Sequence, residues 1–290
     1  MGRIAMSNVY LNGDFVAANE AKISPMDRGF LFGDGIYEVI PTYAGKAVGL
    51  NLHLERMRTG LKSVGIKYEL DSEAWSQIIT KLISQNDNSS QGVYIHVSRG
   101  TDVKRFHAYP DNITPTVFAY AFDTPPSQSP DNENVKGFHV TTGPDLRWQR
   151  CHIKSTSLLG NVMHFQQGQD AGVDEIILYN DNREITEAAA CNVFVVKDKQ
   201  ILTPPLDNQL LPGITRRIAI DAIAKYTSYK VNECIIPLED LLNADEVWLT
   251  SSSKEIGPVL SIDGKAVGDG SKGVVWAEAQ AAYNKHKFDC

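Results

Sequence analysis

Residues 147–161 read Arg147-Trp148-Gln149-Arg150-Cys151-His152-Ile153-Lys154-Ser155-Thr156-Ser157-Leu158-Leu159-Gly160-Asn161. The run contains one lysine, Lys154, which follows Ile153 and precedes three small hydroxyl residues. A lysine in a dry, uncharged environment loses its proton more easily than one in water, and it then attacks carbonyl carbons. The neighbours of Lys154 therefore favour a reactive amine, and the ordinary alternative is an exposed surface lysine.

Two later segments supply complementary groups. Glu187 comes before Ala188-Ala189-Ala190-Cys191, whose small side chains leave room for a planar ring. Leu211-Pro212-Gly213-Ile214-Thr215 leads into a predicted helix, whose first N–H groups suit a phosphate dianion. An amine, a carboxylate and such a helix start are the groups that hold pyridoxal 5′-phosphate. Taken singly, Glu187 would be interpreted as a turn residue and Gly213 as an ordinary helix start.

Other polar residues extend this set. Arg56 lies on a predicted helix, and Ser252 lies in the run Thr250-Ser251-Ser252-Ser253; a cation and hydroxyl groups both suit a phosphate. Arg105 and His107 lie in a loop bounded by glycine and proline, where they could bind a carboxylate. The alternatives are a solvated helix face, a polar loop and a solvated basic loop.

Composition limits the classes of function. A net charge of −7 argues against nucleic acid, because a phosphate backbone needs a basic face. Met1–Ser7 has no apolar leader, and the chain has no uncharged apolar run of about 18 residues, so we expect a cytoplasmic protein with no membrane partner. The four cysteines lack metal-ligand spacing, so we expect no metal and a reducing compartment.

Local signals predict an α+β protein of two domains. Asn12-Gly13 predicts a hairpin, apolar spacing predicts a helix over 51–64, and Asp71 is expected to cap a second helix. The stretch 123–132 is rich in proline and serine and predicts a linker. We therefore expect a small N-terminal domain over 1–122 and a larger C-terminal domain over 133–290 that carries Lys154. The other predicted elements are strands at 35–40, 46–50, 92–98, 114–122, 175–179, 192–197 and 247–250, and helices at 158–171, 213–226, 237–242 and from about 273.

Together these segments resemble the fold-type-IV pyridoxal-phosphate enzymes, and among them the D-amino-acid aminotransferases. The resemblance runs from about Val9 to Gly270. The motifs that carry it are Asp27-Arg28-Gly29-Phe30, Phe32-Gly33-Asp34-Gly35-Ile36-Tyr37-Glu38, Arg147-Trp148 with Cys151-His152-Ile153-Lys154-Ser155, Glu187 with Asn192-Val193-Phe194, Gly213-Ile214-Thr215-Arg216, and Thr250-Ser251 with Glu255-Ile256.

The resemblance implies a two-domain fold-type-IV architecture and a role for each motif residue. It implies that Lys154 forms a Schiff base with the cofactor and that Glu187 binds the pyridine nitrogen. It also implies a homodimer in which part of the Arg105–Tyr109 loop reaches the neighbour's site. The remaining implied contacts are Arg56, Ile214, Thr215 and Ser252 to the phosphate, Leu211 to the ring, and Tyr37, Arg105 and His107 to the substrate carboxylate.

The expected reaction is transfer of an amino group from a D-alanine-like donor to a 2-oxo acid such as 2-oxoglutarate. Branched-chain L-aminotransferases share the fold but tend to carry Phe-Glu-Gly-x-Arg where this chain has Tyr37-Glu38-Val39-Ile40-Pro41, and Gly-Thr-Ala-Ala where it has Ser251-Ser252-Ser253-Lys254. An (R)-amine transaminase, an aminodeoxychorismate lyase and a non-catalytic cofactor-binding protein are further alternatives. Ala188–Ala190 departs from the serines usual in the D-alanine enzymes.

Overall fold

A computed structural model describes residues 8–289 as two compact units of mixed α and β structure. The first unit comprises residues up to Pro126 together with Ile153–Leu158, and the second comprises Ser127–His152 with Leu159–Asp289. The expectations for Met1–Ser7 and Cys290 lie outside the described residues. No helix within 8–289 has the length and apolarity needed to cross a bilayer.

The first unit is an antiparallel six-stranded sheet in the order β2-β1-β6-β5-β3-β4, with helices α2 and α3 packed on it. Its elements are β1 (Asn8–Leu11), β2 (Asp14–Ala17), α1 (Arg28–Phe32), β3 (Gly35–Tyr43), β4 (Lys46–Ala47), α2 (Leu50–Ser63), α3 (Ser72–Ile83), β5 (Ser90–Ser98) and β6 (Thr116–Asp123).

Local signals account for several of these boundaries. Asn12 and Gly13 both have positive φ, of 51° and 107°, as the tight turn of the predicted hairpin requires. Asp71 accepts a hydrogen bond of 2.7 Å from the Ala74 N–H and begins α3 as predicted. The predicted strand over 46–50 is wrong beyond Ala47, because Gly49 adopts a left-handed conformation and α2 begins at Leu50.

The core of the first unit lies between the sheet and its helices. Leu54, Met57 and Leu61, on the predicted stripe of α2, are at most 2% exposed. They belong to the same hydrophobic cluster as Ile36 and Ile40 of β3. The burial of this stripe fixes α2 against β3, and these two elements carry the polar residues of the candidate site.

The second unit is a mixed nine-stranded sheet in the order β12-β11-β10-β13-β14-β7-β8-β9, and β15 pairs with β14. The pairs β14–β7, β7–β8 and β11–β12 are parallel. Its elements are β7 (Phe138–Pro144), α4 (Leu159–Asp170), β8 (Glu175–Tyr179), β9 (Ile185–Ala188), β10 (Asn192–Lys197), β11 (Gln200–Thr203), α5 (Ile214–Tyr226), β12 (Val231–Glu233), α6 (Leu238–Leu242), β13 (Glu246–Ser251), β14 (Glu255–Ile262), β15 (Lys265–Ala266) and α7 (Val274–His286).

We expected the C-terminal domain over 133–290 to carry Lys154, whereas the structure groups Ile153–Leu158 with the first unit. The reason is backbone pairing to β3. The Tyr37 N–H donates to the Lys154 carbonyl at 3.1 Å, and the Thr156 N–H donates to the Gly35 carbonyl at 2.9 Å. The predicted domain limits at 122 and 133 stay a prediction.

Candidate active site

Lys154 lies against Tyr37 in the first unit. Its ammonium nitrogen is 4.1 Å from the centre of the Tyr37 ring, and the residue is half-buried. Within residues 8–289 no carboxylate forms an ion pair with it. A half-buried amine without a carboxylate partner is available to condense with a carbonyl group.

Arg56, predicted to bind phosphate, is oriented by a buried carboxylate that the sequence did not single out. Its Nε and Nη2 atoms each donate to Glu38 at 2.7 Å, and Glu38 is fully buried. His53 Nδ1 lies 2.7 Å from the same carboxylate, which as an acceptor requires the proton on Nδ1. The two hydrogen bonds to Glu38 form a bidentate pair, which fixes the orientation of the Arg56 guanidinium.

Electrostatics agree with this arrangement. Burial by itself raises the pKa of the Glu38 carboxyl, but Arg56 and His53 outweigh it and hold that pKa well below its usual value. Burial lowers the pKa of His53, and the nearby charges of Arg56 and Lys154 lower it further. These effects together outweigh Glu38, whose charge and hydrogen bond raise that pKa. Glu38 is therefore ionised and His53 neutral near pH 7.

Arg105 and His107, the predicted carboxylate-binding pair, are exposed and meet at one aromatic ring. The Arg105 guanidinium carbon is 5.1 Å from the centre of the Phe32 ring. The His107 ring centre is 5.5 Å from that of Phe32. Both side chains thus lie beside the same ring and are accessible to an anionic group.

Glu187 lies in the second unit on β9, not in the turn that its sequence context suggests. It is 5% exposed, and three groups donate to its carboxylate. The Arg147 guanidinium donates to Oε1, while the Asn192 amide and the Leu211 N–H donate to Oε2 at 3.1 Å each. A carboxylate has about four acceptor positions, so one remains for a further N–H donor.

The charge state of this carboxylate depends on what binds it. Burial raises the pKa of the Glu187 carboxyl to about 7, against the opposing effect of Arg147. Arg147 stays charged, because its hydrogen bonds to Asp145 outweigh the cost of burial and raise its pKa. A cationic N–H at the open acceptor position would hold Glu187 in its ionised form.

The start of α5 is suited to an anion. Gly213 precedes the helix in an extended conformation, and no side chain in the described part of the chain caps the helix there. A side chain at Gly213 would collide with the Asn192 amide oxygen. Because glycine is the only residue without that collision, the backbone before α5 can lie against Asn192, which donates to Glu187. Ile214 and Thr215, the first residues of the helix, are both buried.

A buried hydroxyl lies beside this network. Thr250 pairs with Asn192 across β13 and β10, and its Oγ1 has no hydrogen-bond partner within residues 8–289. Ser252 follows it in the turn between β13 and β14, where the Lys254 N–H donates to Ser251 Oγ at 3.2 Å. A buried hydroxyl without a partner is costly, so Thr250 is a candidate ligand group.

The structure brings the predicted residues together within each unit. Lys154 and Tyr37 are neighbours, Arg105 and His107 share Phe32, and Glu187 is bonded to Leu211. Sequence reasoning missed Glu38, His53, Arg147 and Asn192 as functional residues. Glu38 is 15 residues from His53 and 18 from Arg56 in sequence, and Arg147 is 40 residues from Glu187. Only Asn192, five residues from Glu187, is close enough for a local pattern to have suggested the contact.

Comparison with known proteins supplies the family. Residues 35–262 match the family model for amino-transferase class IV. The chain is 37% identical over 284 residues to a D-alanine aminotransferase of Staphylococcus haemolyticus, covering 97% of this chain and 98% of that one.

Solved structures agree on the fold. The branched-chain amino acid aminotransferase of Escherichia coli superposes with a TM-score of 0.85 at 25% identity, covering 97% of this chain and 94% of that one. A second branched-chain amino acid aminotransferase, solved with pyridoxamine 5′-phosphate, superposes with a TM-score of 0.88 at 23% identity, covering 98% and 94%. On the family match and the near-full-length relatives, this chain belongs to the class IV amino-transferases.

Proposed function

We propose that this enzyme transfers the amino group of D-alanine-like amino acids to 2-oxo acids such as 2-oxoglutarate. The observation that carries the proposal is the near-full-length similarity, at 35–37% identity, to D-alanine aminotransferases of several bacteria. The fold neighbours named as branched-chain enzymes are less similar in sequence, at 22–25% identity. The D-amino acid is therefore the proposed donor, and L-leucine is the rival to test against it.

The cofactor of the family is pyridoxal 5′-phosphate, and the residues here fit it. The amine of Lys154 would bind its aldehyde as a Schiff base, and the open acceptor position of Glu187 would take the protonated pyridine nitrogen. Leu211 would pack against the ring. The phosphate would be bound by Ile214 and Thr215 at the start of α5, together with Ser252 and Arg56.

The cofactor, once bound, supplies an electron sink for the carbanion at the substrate Cα. Lys154 is the group that moves the proton from that carbon, because it is the amine at the cofactor's point of attachment. Glu187 keeps the pyridine nitrogen protonated. Tyr37, Arg105 and His107 orient the substrate by its carboxylate.

We further propose a cytoplasmic homodimer. Leu159, Val162 and Met163 of α4 are 71%, 59% and 59% exposed, and they lie on one face of the helix at spacings of three and four residues. Exposed apolar side chains grouped in this way are typical of a subunit interface.

The test is a set of half-reactions followed by the absorbance of the cofactor. The yellow holoenzyme is mixed in turn with D-alanine, D-glutamate, L-leucine and (R)-1-phenylethylamine, without an acceptor. D-alanine should convert the cofactor to its colourless amino form fastest. If L-leucine is faster, the enzyme is a branched-chain aminotransferase; if the amine is fastest, the carboxylate-binding role of Arg105 and His107 is wrong.

A further inference from the structure

A buried arginine holds the backbone of the loop that carries Arg105 and His107. Arg28, in α1, has a side chain only 3% exposed. Its Nη1 donates to the Phe106 carbonyl at 2.6 Å, and its Nη2 donates to the His107 carbonyl at 3.2 Å. One planar guanidinium thus binds two successive carbonyl groups of the loop, a geometry that an ammonium cannot reproduce.

Arg28 is itself fixed by a carboxylate shared with a second arginine. Asp34 accepts from Arg28 Nε at 2.8 Å and from Arg99 Nε at 2.7 Å. The Arg99 guanidinium carbon lies 3.6 Å from the centre of the Tyr109 ring, at the far end of the loop. Asp34 therefore orients the two cations that contact the middle and the end of the loop.

The loop over residues 103–109 has neither regular secondary structure nor a buried core to hold its backbone, so contacts from outside the loop matter. Residues 103–109 contain no helix or strand, and all of them are exposed. Val103 is 96% exposed and Phe106 53% exposed, so apolar burial does little to order the backbone. Phe32, one helical turn after Arg28, contacts the side chains of Arg105 and His107. Helix α1 therefore supports the loop's backbone through one residue and its side chains through another.

We propose that Arg28 is a positioning residue for substrate recognition, which fixes the Phe106 and His107 carbonyls so that Arg105 and His107 meet the substrate carboxylate. The proposal rests on the function proposed above for this loop. Arg28 acts through the loop and contacts no substrate. Its loss therefore weakens carboxylate binding and frees the loop backbone, and it leaves the chemistry of the bound substrate largely unchanged.

The experiment compares Arg28→Lys and Arg28→Met with the matched control Arg58→Met, a substitution at an exposed arginine of the same unit whose side chain donates to the Ser72 hydroxyl, away from the loop. Arg28→Lys keeps a cation beside Asp34, so it tests the proposal even if Arg28→Met does not fold. Three quantities are measured on the holoenzyme: KM and kcat for D-alanine, competitive inhibition by propanoate, and the rate of tryptic cleavage after Lys104 or Arg105.

Arg28→Lys should raise the KM for D-alanine and the inhibition constant of propanoate by about tenfold or more, because charge-assisted hydrogen bonds are lost, while kcat changes by less than about threefold. Tryptic cleavage in the loop should be faster, and Arg58→Met should resemble the wild type in all three measurements. Unchanged KM and unchanged cleavage in Arg28→Lys would overturn the proposal. A fall in kcat with no change in KM would also overturn it.

Arg105→Ala separates this inference from the proposed function. If Arg105→Ala leaves the KM unchanged, the loop does not bind the carboxylate. That result refutes the substrate-binding role proposed for the loop, independently of Arg28. If it raises the KM, adding Arg28→Lys to Arg105→Ala should raise the KM by a smaller factor than Arg28→Lys does in the wild type, because the Arg105 contact can be lost only once and only His107 remains to be displaced. Fully additive effects would show that Arg28 does not position Arg105.

Discussion

Replacement of Glu187 by glutamine tests the central electrostatic role in the candidate site. The substitution keeps the size of the side chain and removes its charge. In the wild type, Oε1 accepts from Arg147 and Oε2 accepts from Asn192 and Leu211. The amide oxygen of glutamine can satisfy the two donors on one side only. The amide nitrogen then faces the Arg147 guanidinium, which keeps its contacts with Asp145.

Two magnitudes follow from this geometry. An unsatisfied buried donor costs about 1–3 kcal/mol, so the variant should be less stable by that amount but still fold. A charge-assisted hydrogen bond to the pyridine nitrogen is worth about 1.5–3 kcal/mol, which corresponds to about 10- to 150-fold in the rate of Cα deprotonation. The loss should fall on the chemical step, because neither Lys154 nor the carboxylate-binding residues are changed.

The assay is a single turnover of the holoenzyme with D-alanine and with α-deuterated D-alanine, followed by the absorbance of the cofactor. Glu187→Gln should be slower by the stated factor and should show the larger isotope effect. The control is Glu184→Gln, three residues upstream, where the carboxylate is half-buried and bonds Asn180. A single-turnover rate equal to that of the control, at equal cofactor content, would refute the role of Glu187.

Three further predictions concern the cofactor. Lys154→Ala should lose nearly all turnover, because the amine that attaches the cofactor is gone. Its absorbance spectrum should lack the yellow band, and any cofactor that it still binds should be removed by dialysis. In the cofactor-free protein the raised pKa of Glu187, about 7, has two consequences. Its contribution to stability is fully present below the unfolded pKa near 4.5 and is lost as pH rises through about 7. The affinity for the cofactor should rise over the same range, because the ionised form of Glu187 is needed. Cofactor titrations at pH 6 and pH 8 should therefore differ more in the wild type than in Glu187→Gln, in which only the cofactor's own groups titrate. Thr250→Val should lower cofactor affinity without lowering the melting temperature of the cofactor-free protein, because the hydroxyl has no partner within residues 8–289; a lowered melting temperature with unchanged affinity would contradict it.

The parts of the fold that the sequence predicted well are those with local causes. The hairpin at Asn12-Gly13, the cap at Asp71 and the buried stripe of α2 each depend on residues within a few positions of one another. The strand β9 was missed because it is short, and only Ile185 and Thr186 of its four residues favour a strand, whereas Glu187 and Ala188 do not. It forms because it pairs with β8 and is buried there, which a local pattern does not record.

The sequence by itself determined the chemistry available to this protein: one lysine among small residues, one glutamate before three alanines, and a helix that begins after a glycine. Tertiary structure alone decided how those groups are held. The contact of Arg147 with Glu187 spans 40 residues, and that of Arg28 with Phe106 spans 78. Backbone pairing with β3 places the segment around Lys154 in the first unit. Turns, caps and helix stripes are set by neighbours along the chain, whereas buried charges are paired by the path of the whole chain, since a buried charge is stable only where folding brings it a partner.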